Sequence, residues 1–207
     1  MTAARTAPPI PNRLELPLSE GYSLRVDFDR AHDRWAHRVL LVVPEGSGIV
    51  GPVLLLESME GTSEEDWPVS PPLQFVSIEM RPKKPPVALL MGMSGDGHWS
   101  ASIEQLPEEG TLRFDIACRA KSQPENLGSR YRFGLRAPFS PVSDSEHVLT
   151  LGSYDFKISG EHAPDAPLPE LSTSGNELQV QFTAAVSAEA QTYRWIYRLT
   201  ASQHSAS

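Results

Sequence analysis

A single cysteine, Cys118, stands in the 207 residues, which excludes an intramolecular disulfide and a cysteine-rich zinc site. No apolar stretch approaches the roughly 20 residues that would cross a bilayer as a helix, so no membrane partner is expected. Clustered basic residues are missing as well. The chain carries 26 acidic against 18 basic side chains, a net charge of -8, with a pI of about 5.2. Phosphate backbones are held by clustered Lys and Arg, so this balance argues against a nucleic-acid partner. Most of the acidic excess lies in the first 110 residues.

Motifs that fix a chemistry are also absent. The closest approach to a Gly-x-Ser-x-Gly nucleophile elbow is Gly92-Met93-Ser94-Gly95-Asp96. Asp96 stands there in place of the second glycine, and no helical pattern follows, which speaks against a serine hydrolase. The sequence has no Gly-rich phosphate loop and no dinucleotide fingerprint. No cofactor is therefore expected. The N-terminal MTAARTAPPIPNR has an arginine but no apolar core behind it, and so does not read as a secretory signal. A cytoplasmic location is the resulting expectation, although a chain trimmed of its signal would look the same.

Turn-forming residues are abundant: 19 prolines and 14 glycines suit short strands better than long helices. Period-two alternation recurs between them. Tyr22, Leu24, Val26 and Phe28 share one face; so do Leu112, Phe114, Ile116 and Cys118, and later Tyr193, Trp195, Tyr197 and Leu199. Each set reads as a half-buried strand. Cys118, lying on such an apolar phase, reads as a small buried hydrophobe rather than a reactive thiol. Leu14 to Leu18 reads as a first, edge-like strand, and the apolar Val39 to Val43 as a buried central one. Arg30 to Arg38 is polar, and fits either one helical turn or a wide hairpin loop. Ten to twelve strands and no helix are predicted. Packing one-faced and two-faced strands together calls for an antiparallel two-sheet β-sandwich, with a flattened β-barrel as the alternative.

The expected domain plan is a flexible arm over residues 1–13, one sandwich domain over 14–200 and a flexible tail over 201–207. Ser159 to Glu170 has the composition of a linker. The aromatic face of Tyr193 to Leu199 could not stand as an isolated hairpin in water, so Leu178 to Ala184 and Tyr193 to Thr200 are expected to form a hairpin packed on the main sheet.

Pro86 to Glu104 organises the rest. Val87 to Met93 reads as a strand buried on both faces, Ser94-Gly95-Asp96-Gly97 as a turn, and His98 to Glu104 as a half-exposed strand. Pro52 to Gly61 (PVLLLESMEG) resembles Pro86 to Gly95 (PVALLMGMSG), and a tryptophan, Trp67 or Trp99, follows each. The likeness is either coincidence between two strands that end in turns or the mark of a duplicated sandwich.

Several weak constellations could carry chemistry. At the Asp96-Gly97-His98-Trp99 tip, the indole would stack on a sugar while Asp96 and His98 bound its substituents. An Asp-Gly hairpin turn explains the same residues by backbone angles alone. Glu57, Glu60, Glu64, Glu65 and Asp66 form the densest acidic run, but they match no calcium loop. His32 and His37 are five apart, whereas a zinc pair wants three or four on a helix and two on a strand, so no metal site is expected. His147 and His162 fall in polar loops with no evident partner. Arg119, Lys121, Arg130, Arg132 and Arg136 would make a basic face on two neighbouring strands, or else be neutralised by Asp115, Glu104 and Glu79.

With no complete catalytic set, the sequence reads first as a non-enzymatic binding or protein-interaction module, with a homodimer through a sheet edge among its possible assemblies. The alternative is a carbohydrate-binding or carbohydrate-active sandwich, with Asp96, His98, Trp99, Trp67, Glu57 and Asp66 as its candidate ligand-binding residues. Acid–base work there would pair His98 with Glu57 or Asp66.

Overall fold

The computed structural model describes residues 12–134, 139–183 and 185–204. Alternating sequence becomes two antiparallel sheets. The first holds, in spatial order, β1 (Arg13–Pro17), β2 (Ser23–Ala31), β3 (Arg34–Val42), β4 (Val53–Ser58), β9 (Gly128–Phe133), β14 (Glu177–Gln181) and β13 (Glu170–Ser174). The second holds β10 (Ser140–Ser143), β11 (Glu146–Leu151), β12 (Tyr154–Glu161), β15 (Gln191–Gln203), β8 (Thr111–Ala120), β7 (Gly97–Leu106), β6 (Val87–Ser94) and β5 (Phe75–Glu79). Neither sheet closes on itself, so the architecture is a two-sheet sandwich and not a flattened barrel. No α-helix occurs among the described residues.

The inner faces supply one hydrophobic core. Leu112, Phe114, Ile116 and Cys118 of β8 and Tyr193, Trp195, Tyr197 and Leu199 of β15 meet Leu24, Val26, Val39, Leu41, Leu56 and Tyr131 from the other sheet. Phe114 and Tyr197, paired across β8 and β15, stack with centroids 4.9 Å apart. Each fully buried Leu, Ile or Phe contributes roughly 1.5–3 kcal/mol, so these strands anchor the fold.

Several expectations need correction. Fifteen strands are present among the described residues, more than ten to twelve, because short segments such as Ser140–Ser143 pair inside stretches that read as loops. Arg30 to Arg38 is neither a helical turn nor a wide loop. β2 and β3 stay paired down to Ala31 and Arg34, and His32, at φ +56°, makes the tight turn between them. The proposed hairpin of Leu178–Ala184 with Tyr193–Thr200 is not formed. β14 pairs with β9 and β13 in the first sheet, whereas β15 lies between β8 and β12 in the second, so the chain crosses from one layer to the other. β15 also runs to Gln203, since Ala201 pairs with Phe156 and its side chain is buried; only residues past 204 of the expected tail lie outside the described residues. Of the expected N-terminal arm, residues 1–11 lie outside them too.

The linker-like Ser159–Glu170 begins inside β12 and then folds over the second sheet. Ala166 is buried there, and Asp165 pairs with Arg194 at 2.6 Å. The look-alike segments Pro52–Gly61 and Pro86–Gly95 contribute β4 and β6, which lie in different sheets.

Candidate functional site

The pivotal hairpin forms in register, with Val87 opposite Glu104 and Ser94 opposite Gly97. Its turn is Gly95-Asp96, with glycine first at φ +53°, an arrangement that favours glycine at the first central position of a two-residue hairpin turn. Gly97 already belongs to β7, so the Asp-Gly pair does not itself make the turn. Beneath the tip the loop after β4 returns. A methyl group on Gly95 would stand 3.0 Å from Asp66 Cβ, and one on Gly97 3.3 Å from the Trp67 ring.

The six sugar-site candidates divide among three places. Asp66, Trp67, Asp96 and Trp99 converge under the hairpin tip. Trp99 faces inward, 3 % exposed, between Trp67 (centroids 6.4 Å apart) and Trp195 (6.1 Å, edge to face). His98, one residue away on the same strand, projects from the outer side of the second sheet. Glu57 belongs to the other sheet, opposite Arg38 and Arg132 in register. The period of two that identifies β7 as a strand is what separates His98 from Trp99.

The proposed basic face does not assemble, because Arg119 lies on β8 and Arg130 and Arg132 on β9 of the opposite sheet. Arg136 lies outside the described residues. His32 and His37 also part company. His32 sits at the turn, whereas His37 is buried on β3.

Sequence reasoning missed an interior polar chain that begins at His37. Its Nε2 lies 2.9 Å from the Tyr131 hydroxyl, which in turn hydrogen-bonds the Tyr197 hydroxyl across the sandwich. On the near side the Ser58 hydroxyl accepts from the His37 backbone N–H at 2.8 Å and donates to Glu60 Oε1 at 2.6 Å. Glu60 Oε2, His37 Nδ1 and Arg34 Nη1 are enclosed without a hydrogen-bond partner among the described residues. Burial holds the His37 imidazole at about 4, and so neutral at ordinary pH. Burial also pushes the Glu60 carboxyl up to about 7, against the lowering pull of the Ser58 hydrogen bond and the Arg34 charge. His37, Ser58, Glu60, Tyr131 and Tyr197 line an enclosed cavity of about 20 Å³, space for one water molecule. Tyr131 and Tyr197 each occupy an apolar phase, so nothing in the local pattern distinguishes a bonded core tyrosine from a merely packed one.

A second missed feature is on the outside of the second sheet. β6 is not buried on both faces. Phe75 (53 % exposed), Leu89 (42 %), Met91 (55 %) and Met93 (53 %) all project outward. Phe75 stands opposite Met91, which stands opposite Ser100, which stands opposite Ala117. Large side chains on β5 and β6 beside small ones on β7 and β8 leave a shallow open trough of about 540 Å³. His98 and Arg119 are adjacent in register at one end of it, next to Met93.

Gly92 is what lets the loop approach from below. A Cβ at this position would lie 1.7 Å from the Pro72 carbonyl oxygen, so only glycine admits that backbone against β6. The loop thereby delivers Gln74 and Phe75 to the trough.

No protein-family model matches this chain, and no curated protein matches its sequence.

Proposed function

We propose that this chain is a non-enzymatic binding module that docks a protein partner on the outer face of its eight-stranded sheet, with Phe75, Leu89, Met91 and Met93 as anchors. The observation that carries this reading is the exposure of four large apolar side chains as one contiguous strip, and not scattered singly. Contiguous exposed apolar surface marks interaction sites in soluble proteins. Methionine and aromatic residues are also enriched where proteins meet, and the thioether adapts its shape to a partner.

The interior His37–Tyr131–Tyr197 chain offers no room for a ligand of its own. Its cavity has space for a water molecule and not for a substrate. The carbohydrate reading draws on Asp66, Trp67 and Asp96 at the hairpin tip. Trp99 is committed to the core, however, and His98 leaves from the opposite side of the sheet, so protein docking is the better supported reading.

Site-specific photocrosslinking tests it. A benzoylphenylalanine at Met93 is expected to capture a defined protein, and Met91→Asp on the same chain to abolish that capture. The same probe at Gln179, on the outside of the other sheet, serves as control. Identical crosslink patterns from the two positions would overturn the reading.

A further inference from the structure

The outer face of the eight-stranded sheet treats its cations unequally. Arg113 binds Glu161 at 3.0 Å and Asp115 at 3.1 Å. Arg194 binds Asp115 at 2.7 Å and Asp165 at 2.6 Å, and Arg198 pairs with Glu109 at 2.8 Å and also with Glu161. Across β15 and the first part of β8 the guanidinium groups are therefore satisfied by neighbouring carboxylates. Arg119 differs. It is exposed, and it takes part in no ion pair or side-chain hydrogen bond among the described residues. His98, beside it in register, likewise has no carboxylate within ion-pairing distance there.

The unpaired cation stands at the end of the apolar trough, where Met93, His98, Arg119 and Thr192 follow one another across four strands. A complementary occupant has an apolar body to cover Phe75 and Met91 and a negative charge to meet Arg119. On the protein-docking reading above, we infer that the trough receives an extended acidic–apolar segment of a different protein, its side chains over Phe75, Met91 and Met93 and a carboxylate on Arg119. The positions fit an extended chain. Met91 and Met93 are two residues apart on one strand face, as alternate side chains of a bound strand would be. A second copy of this chain is the poorer match, because its net charge of -8 opposes self-association.

The Met93 backbone beside the trough is also closed to strand addition. The Gln74 carboxamide bonds the Met93 backbone on both its donor and its acceptor sides, each at 2.8 Å, where a pairing strand would otherwise continue. Recognition at this place consequently falls to side chains on the face, and charge selects among apolar partners.

The test uses the full chain with ¹³C-methyl methionine and three sets of capped octapeptides in which Leu alternates with Ser. One end of each peptide carries Asp-Glu, Asn-Gln or Lys-Arg. Acidic peptides are expected to shift the Met91 and Met93 methyl resonances and to lose about tenfold in affinity against Arg119→Gln, which removes one charge-assisted contact. Raised salt is expected to weaken binding to the wild type more than to the variant. Equal binding of the three sets, or no shift with any of them, would overturn the acidic–apolar occupant. Crosslinking at Met93 could still succeed in that case, which separates this failure from failure of the docking reading. Shifts with laurate alone would assign the trough to a small amphipathic anion, and concentration-dependent shifts without peptide would assign it to a second copy. Either result overturns the inference. Unchanged thermal unfolding of Arg119→Gln confirms that the comparison is between folded proteins.

Discussion

The Gln74 side-chain amide donates to the Met93 carbonyl and accepts from the Met93 N–H, both at 2.8 Å. One side chain thus takes the place that a strand residue would fill beside the end of β6. A related device closes the edge of β1. The Gln105 amide, turned to donate to the Glu15 carbonyl at 3.2 Å and accept from its N–H at 3.3 Å, reaches from β7 across the sandwich. Exposed strand edges invite pairing with other chains, and these glutamines occupy part of that backbone without adding a strand.

Gln74→Ala is expected to leave the fold intact and to cost about 1 kcal/mol or less, since the bonds it removes are exposed to water. Its local mark should be large: the Met93 amide, protected in the wild type, should exchange rapidly in the variant. Unchanged Met93 exchange would show that the glutamine does not hold this edge.

Adjacent residues on β7 are expected to respond very differently to truncation. Trp99→Ala removes a 3 %-exposed indole lying between Trp67 and Trp195 and should destabilise by about 3–5 kcal/mol. His98→Ala, on the exposed side, should stay within about 0.5 kcal/mol of the wild type. Urea unfolding of the two variants measures the contrast, and comparable losses would contradict the alternation of this strand.

That contrast also shows what was legible in the sequence. Leu112, Phe114, Ile116 and Cys118 alternate with charged or small residues, so both the strand and its buried face could be read from local order. β14 and β15 could not be paired correctly in that way. A crossing between layers and a hairpin offer the same two alternating runs, and long-range contacts choose between them. The trough was hidden for a related reason. Val87 to Met93 is continuously apolar, and hydrophobicity alone cannot reveal that Leu89, Met91 and Met93 are left uncovered. The interior polar chain joins residues far apart in sequence, His37, Tyr131 and Tyr197, through a register that only the assembled sheets define.

Cys118 is expected to be inert in the native protein. Its side chain is fully buried, and burial first, then the Asp96 charge, pushes the thiol up to about 12. A disulfide reagent such as DTNB at pH 8 should therefore label it only after unfolding, because the thiolate is the reacting form. Rapid stoichiometric labelling under native conditions would place the thiol outside the core.

The pH dependence of stability tests the interior chain, through two groups that act in opposite directions. Burial holds His37 at about 4, below its ordinary 6.5. As pH falls from 6.5 toward 4, the unfolded chain therefore takes up a proton that the folded one refuses, and stability drops. Burial raises Glu60 from 4.5 to about 7, so as pH rises across that range the unfolded chain releases a proton that the folded one keeps, and stability drops again. Between about 4.5 and 6.5 these two slopes oppose each other, while His147, also held below 6.5 by burial, adds a rise with pH common to the wild type and any Glu60 variant. Burial disfavours the charged forms of Asp115 and Glu161, but their arginine partners outweigh it and hold both carboxyls below their ordinary values, so their contribution is lost on acidification, mainly below this window. Glu60→Gln removes one of the two opposing terms. Urea midpoints measured from pH 4 to 8 should then rise steadily with pH up to about 6.5 in the variant, and exceed the wild type above pH 7. Parallel profiles for the two proteins would mean that Glu60 titrates as an ordinary surface carboxylate, and that its enclosed Oε2 reaches water in solution.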